Sequence, residues 1–192
     1  MEVPLYLTLL NLHNDSAVAL KAIRYIISGG SDLSQQVVAL LNDLNWRPQL
    51  VGATAIGLGA GSTDTIAALW QAIDSGSWTS PQLGAIAFLV DPDFQHNAKT
   101  RIEKGCPLNR ERLEGLDWIE RHVAAGPESF NSHSSKSLSA LLALCHRLPE
   151  SSEWLEPIQT RDDIHKIAIA DQESGEIAIQ WLDGFTKMRE VT

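Results

Sequence analysis

Basic residues are scarce in this sequence. It holds 15 Lys and Arg against 24 Asp and Glu, a formal charge of −9 at pH 7. Nucleic-acid backbones are gripped by clustered Lys and Arg, so this balance argues against a nucleic acid as the main partner. Cysteine is nearly absent. Cys106 and Cys145 stand alone with no CxxC pair, which excludes the zinc and thioredoxin-type motifs built on that spacing. Two buried thiols in a reducing compartment are the expectation. No apolar run approaches the length of a membrane span. The N-terminal run Val3–Leu12 is short, follows Glu2 and lacks a basic flank, so it reads as a first helix and not as a signal peptide. A cytoplasmic protein with no membrane partner is expected.

Catalytic and metal motifs are missing too. The six histidines are His13, His96, His122, His133, His146 and His165. None pairs with another at i+3 or i+4 and no HExxH occurs, so no metal or other cofactor is expected. Gly57-Leu-Gly-Ala-Gly61-Ser lacks the Lys of a phosphate-binding loop, and a turn between paired helices explains it. His133-Ser-Ser-Lys136 starts with His where a Ser-x-x-Lys motif needs Ser.

What is there is a repeat. Segments Ser16–Ile27, Pro48–Leu58 and Ser80–Val90 fall into one register at a spacing of 32 residues. Ala19 lies over Val51 and Leu83, Ala22 over Thr54 and Ile86, Ile23 over Ala55 and Ala87, and Ile26 over Leu58 and Val90. Each set runs i, i+3, i+4, i+7, one face of a helix. Trp46 and Trp78 keep the same spacing ahead of the second and third segments. A fixed period of this length means stacked supersecondary units.

A second helix follows each repeated one. Val37, Leu40, Leu41 and Leu44 stripe a helix opened by Ser31-Asp32, and Ile66, Leu69, Trp70 and Ile73 stripe one that starts after Gly61-Ser-Thr-Asp64. Asp32 and Asp64 sit in first turns, where the helix dipole favours a carboxylate. Asn14-Asp15-Ser16 supplies an N-cap, Gly29-Gly30 a C-cap, and Ser80-Pro81 a cap with proline at the first helical position. Asp91-Pro92 caps a helix to about Lys104, short or distorted, with Phe94, Ala98 and Ile102 facing in. Further on we expect a helix from Asn109 to about Ala125, a mobile loop over 127–137, a helix from Lys136 to Leu148 striped by Leu138, Leu141, Leu142 and Cys145, and a loop over 149–157 with Trp154 and Leu155 tucked in. Thr160-Arg-Asp-Asp163 reads as a capping box, and Gly175 as the break before a helix with Ile177, Trp181, Phe185 and Met188 on one face. Ile167/Ile169 and Ile177/Ile179/Trp181 also alternate with period two, so a hairpin competes there; the preceding repeats favour helices.

Ala55-Ile-Gly57, then Gly61-Ser-Thr-Asp-Thr-Ile66-Ala-Ala-Leu69-Trp-Gln-Ala72-Ile73, resembles the HEAT repeat of bacterial HEAT-like proteins. The resemblance covers Ser16 to about Val90. It implies an all-α fold: one domain, 1–192, a right-handed α-α solenoid of about four to five helical hairpins, regular over 16–90 and less so over 91–192. The scaffold hosts many functions. The expectation is a non-catalytic protein-binding module, in its sharpest form an acidic immunity protein that masks a basic bacterial toxin. The alternatives are a HEAT-like enzyme of the phycobilin-lyase or DNA-glycosylase type, or the N-terminal part of a larger HEAT scaffold.

Charge is uneven along the chain. Between Ser31 and Ala98 the acids are Asp32, Asp43, Asp64, Asp74, Asp91 and Asp93, and Arg47 is the only base; Lys99, Arg101, Lys104, Arg110 and Arg112 follow together. The expected binding face is the acidic surface of the second helices and the turns after them, with Asn42, Asp43, Gln71, Asp74, Trp78 and Asp91 as candidates. Asp43 and Asp74 are expected to be exposed at helix ends, where the dipole disfavours a carboxylate and a binding use is easier to defend. In a mobility-shift assay at low salt the protein is expected to leave duplex DNA unretarded; tight, salt-dependent retardation would refute this reading of the charge.

Overall fold

The computed structural model describes residues 5–12, 16–105 and 130–191. These residues form eleven α-helices and no strand, so the hairpin reading of 165–182 gives way to helices. We number them α1 Leu5–Asn11, α2 Ser16–Gly29, α3 Leu33–Asn42, α4 Trp46–Ala55, α5 Thr63–Asp74, α6 Ser80–Val90, α7 Phe94–Glu103, α8 Phe130–Cys145, α9 Ser152–Gln159, α10 Asp162–Ala170 and α11 Gln172–Val191. The expected N-cap residues Asn14-Asp15 and the expected helix at 109–125 lie outside the described residues.

Helix α6 carries no charge, and none of its residues is exposed. A helix apolar all round must be covered all round. Helices α4, α5, α8 and α11 supply that cover. Helices α2, α4 and α6 lie side by side, as the 32-residue register requires, while α3 packs on α4 and α5, and α5 on α6. Ala19, Leu83, Thr54, Ile86, Ile23, Ala55 and Ala87 of the registered set are buried. Ile26 departs from the expected face and is 60% exposed, because α2 stands at the end of its row.

Beyond Ala55, helix α4 widens into a π-type turn, Ile56–Ala60, in which Gly59 adopts φ 122°. This turn is the site of a close approach. A Cβ on Gly57 would stand 2.5 Å from Ile86 Cδ1 and 2.7 Å from the Phe185 ring. Helix α11 thus returns to the middle of the chain, with Phe185 fully buried and stacked on Trp181 at 4.8 Å. The Trp181 indole N–H donates to the Leu9 carbonyl at 2.9 Å, which ties α11 to α1.

Several local expectations are corrected. Asp32 does not act through the dipole of a first turn. It is the N-cap residue in the left-handed region at φ 62°, a conformation that Asp tolerates better than most residues, and its side chain makes no capping bond. Asp64 does occupy the first turn of α5, which opens on a reciprocal capping box between Ser62 and Thr65. Helix α8 starts at Phe130, inside the expected loop. Two of its serines reach neighbouring elements: Ser137 Oγ donates to Ser80 Oγ at 2.9 Å, and Ser135 Oγ to Asp171 Oδ2 at 3.2 Å. The expected loop 149–157 is a short 3-10 turn and helix α9, which contains Pro157; Leu155 is buried and Trp154 half-buried, as anticipated.

Thr160 does not cap α10. Its hydroxyl donates back to the Pro157 carbonyl, while Arg161 pairs with Asp163 at 2.7 Å and holds that carboxyl below its ordinary pKa. Gly175 does not interrupt the last helix. It lies inside α11 because a Cβ there would meet Ala143 Cβ and the Ser139 carbonyl oxygen, both at 3.1 Å. Leu69, Leu138, Leu141, Leu142 and Cys145 are buried as expected.

Gly57→Ala is expected to cost about 1–3 kcal/mol through overpacking against Ile86 and Phe185. Leu141→Ala is expected to cost about 2–5 kcal/mol through the cavity it leaves. Urea denaturation followed by circular dichroism measures both; an unchanged midpoint in Gly57→Ala would contradict the seat of α11.

Candidate functional site

Asp74 of the acidic block and Arg101 of the basic block that follows it in sequence meet in space. Helices α5 and α7 flank a groove of about 460 Å³. Ile66, Trp70 and Gln71 line it from α5, and Asp93, Asn97 and Arg101 from the α7 side, with Asp91 at its base. The spacing of Ile66, Trp70 and Gln71 is helical, so one stripe that starts in the core ends at a surface cleft.

The groove is built on a hydrogen-bonded aromatic. Trp70 is 4% exposed and packs on Phe94, and its indole N–H donates to Asp91 Oδ2 at 2.7 Å. Asn97 Nδ2 donates to the same oxygen at 2.9 Å, and the Asp93 N–H donates to Oδ1 at 2.9 Å. Asp91 is therefore 8% exposed, with both oxygens engaged. These bonds give it a structural role, joining α5 to α7. Arg101 lies over the Trp70 ring at 4.3 Å and gives two bonds to Asp74, 2.6 and 2.7 Å long. Asp74 is thus half-buried and paired, not the free helix-end acid expected from sequence. Gln71 is exposed on the groove wall, as expected.

The remaining candidates lie at the turns before α4 and α6. Asn42 and Asp43 are exposed at the end of α3. Asp43 has a local role: Oδ1 accepts from the Asn45 N–H at 2.7 Å, and its carbonyl accepts from Gln49 Nε2 at 2.8 Å, which shapes the entry to α4. Trp78 is 46% exposed, and its ring lies 5.2 Å from that of Trp46. Tyr6 meets Trp46 edge-on at 6.0 Å, and the Arg47 guanidinium lies over both rings. The 32-residue spacing of the two tryptophans thus places them in contact across adjacent turns. It gave no sign of Tyr6, which arrives from α1.

Among the described residues, no group of three or more His, Cys, Asp or Glu could hold a metal ion, and no helix is long and apolar enough to cross a membrane. Cys145 is a buried free thiol whose pKa burial pushes up to about 12, so it offers no thiolate at neutral pH.

Asp91→Ala is expected to destabilise the fold by about 1–3 kcal/mol, since it leaves the buried Trp70 N–H without its acceptor. Thermal denaturation measures this, and an unchanged melting temperature would remove Asp91 from the structural role. No family model matches the chain, and neither does a curated protein or a solved structure.

Proposed function

We propose that the chain is a HEAT-like helical scaffold, without catalysis, that binds a basic protein partner through the groove between α5 and α7. One observation carries the reading. Asp91 and Asp93 line this groove, and the charge of its lining base, Arg101, is taken up by Asp74. The other nearby base of α7, Lys99, lies over the Trp154 ring and 3.9 Å from Glu103. The groove is left with net negative charge, and exposed Asp64 adds to it from the first turn of α5. Such a field steers basic partners and repels acidic ones. Support for the scaffold comes from the register: α2, α4 and α6 side by side, with α3 and α5 packed against them, is the pairing that stacked helical hairpins need. The sharpest form of the proposal is an antagonist in the cytoplasm that masks a basic toxin; the sign of the groove is its support.

A glycosylase-type reading has one observation in its favour, the meeting of Trp70, Asp91 and Arg101 in a single cleft. That cluster is already spent on the fold. Arg101 gives its charge to Asp74, and both Asp91 oxygens accept bonds from within the chain. Neither group is offered to a nucleic acid, so the binding reading is preferred.

Asp74→Lys is a poor test, because it breaks the pair with Arg101. Gln71→Lys with Asp93→Lys reverses the groove's charge at two exposed positions. Tagged protein is expected to capture a basic protein, identified by mass spectrometry, and the double variant is expected to weaken that capture about tenfold, most at low salt. Undiminished capture by a variant with native circular dichroism would move the site elsewhere.

A further inference from the structure

Helices α8 to α11 enclose a second cleft, of about 620 Å³, which shares no lining residue with the α5–α7 groove. That volume is in the range of small-molecule sites, roughly 300–1,000 Å³. Its floor is apolar, with Leu142 from α8, Ile164 from α10 and Ile179 from α11. The floor closes because Gly175 lets α11 approach the α8 backbone at Ser139. The rim is polar and comes from three helices: Gln159 from α9, His165 from α10, and Gln172, Glu176 and Gln180 from α11; His146, in the turn after α8, completes it. His146 and Gln159 hydrogen-bond to each other across this rim.

Two features set the ligand chemistry. The first is charge. Among the described lining residues Glu176 carries the only carboxylate, and none is Lys or Arg. Gln172 Nε2 donates to Glu176 Oε1 at 3.1 Å, one bond to a group with about four acceptor positions. An anion would meet this carboxylate with no cation to offset it. A purely apolar ligand would strip water from the carboxamides and return nothing. The second feature is Ser139. This residue borders the cleft and is 5% exposed, and its buried hydroxyl has no hydrogen-bond partner among the described residues. Buried hydroxyls are nearly always partnered, and an orphan beside a cleft marks a place for a ligand atom or a water.

We propose that this cleft binds a small organic amine with an apolar body. The body rests on Leu142, Ile164 and Ile179, and the ammonium group meets Glu176 and the carboxamide oxygens of the rim. The site is independent of the α5–α7 groove, since it uses other helices.

The test uses the full-length, nitrogen-15-labelled chain and three probes of similar shape: phenethylamine, 2-phenylethanol and 3-phenylpropionate. Saturable amide shifts at Ser139, Glu176 and Ile179 are expected with phenethylamine. The alcohol and the carboxylate are expected to bind at least about tenfold more weakly. Glu176→Gln and Gln180→Arg, both at exposed positions, are each expected to raise the phenethylamine Kd about tenfold while the remaining spectrum keeps its dispersion. Absence of saturable shifts at those residues, equal affinity for the three probes, or an unchanged Kd in Glu176→Gln would each overturn the proposal. The comparison of the three probes on the unmodified chain decides it even if a variant fails to fold.

Discussion

The structure depends on the burial of α6 from every side. Its sequence, Ser80-Pro-Gln-Leu-Gly-Ala-Ile-Ala-Phe-Leu-Val90, leaves no face for water. The hydrophobic effect is non-directional, so it demands cover without saying which element supplies it. Helices α4 and α5 come from the preceding unit, while α8 and α11 come from much later in the chain. Polar groups of this helix reach other elements: Ser80 Oγ accepts from Ser137 Oγ, and Gln82 Nε2 donates to the Leu10 carbonyl. These bonds fix how the surrounding helices sit, because each would be costly to leave unmade in the interior.

Both candidate sites are consequences of that arrangement. Packing α5 on α6 fixes the first wall of the acidic groove, and the Trp70–Asp91–Asn97 bonds fix α7 as the second. Packing α8 against α11 at Gly175 creates the floor of the other cleft. The two differ in physics. At the groove, charge is in excess and its one lining base is neutralised by Asp74. In the cleft, apolar surface dominates the floor and the rim bonds through amides and imidazoles. A long-range field suits the capture of a protein surface, whereas a concave apolar floor with a few polar groups suits a small molecule.

Charge shows how far tertiary structure rewrites a sequence pattern. Asp74 and Arg101 belong to opposite blocks along the chain, yet they form one bidentate pair over the Trp70 ring. Asp91 counts as an acid in the composition, but as a hydrogen-bond acceptor in the fold. What remains for a partner is the surplus after these pairings, carried by Asp64, Asp93 and the exposed amide of Gln71.

The sequence by itself determined the all-helical class and the buried stripes around Leu69 and Leu141. These follow from local periodicity and a fixed repeat, which need no knowledge of distant residues. It took 130–137 for a loop, where helix α8 already runs and Ser135 and Ser137 reach bonding partners on other elements. It also took Gly175 for a break, when the reason for that glycine is the approach of α8. Only the tertiary structure decided that Trp78 stays half-exposed on Trp46, that Asp91 turns inward, and that side chains from four separated helices share one cleft. Such groupings depend on long-range packing, and no spacing along the chain encodes which neighbour a side chain will meet.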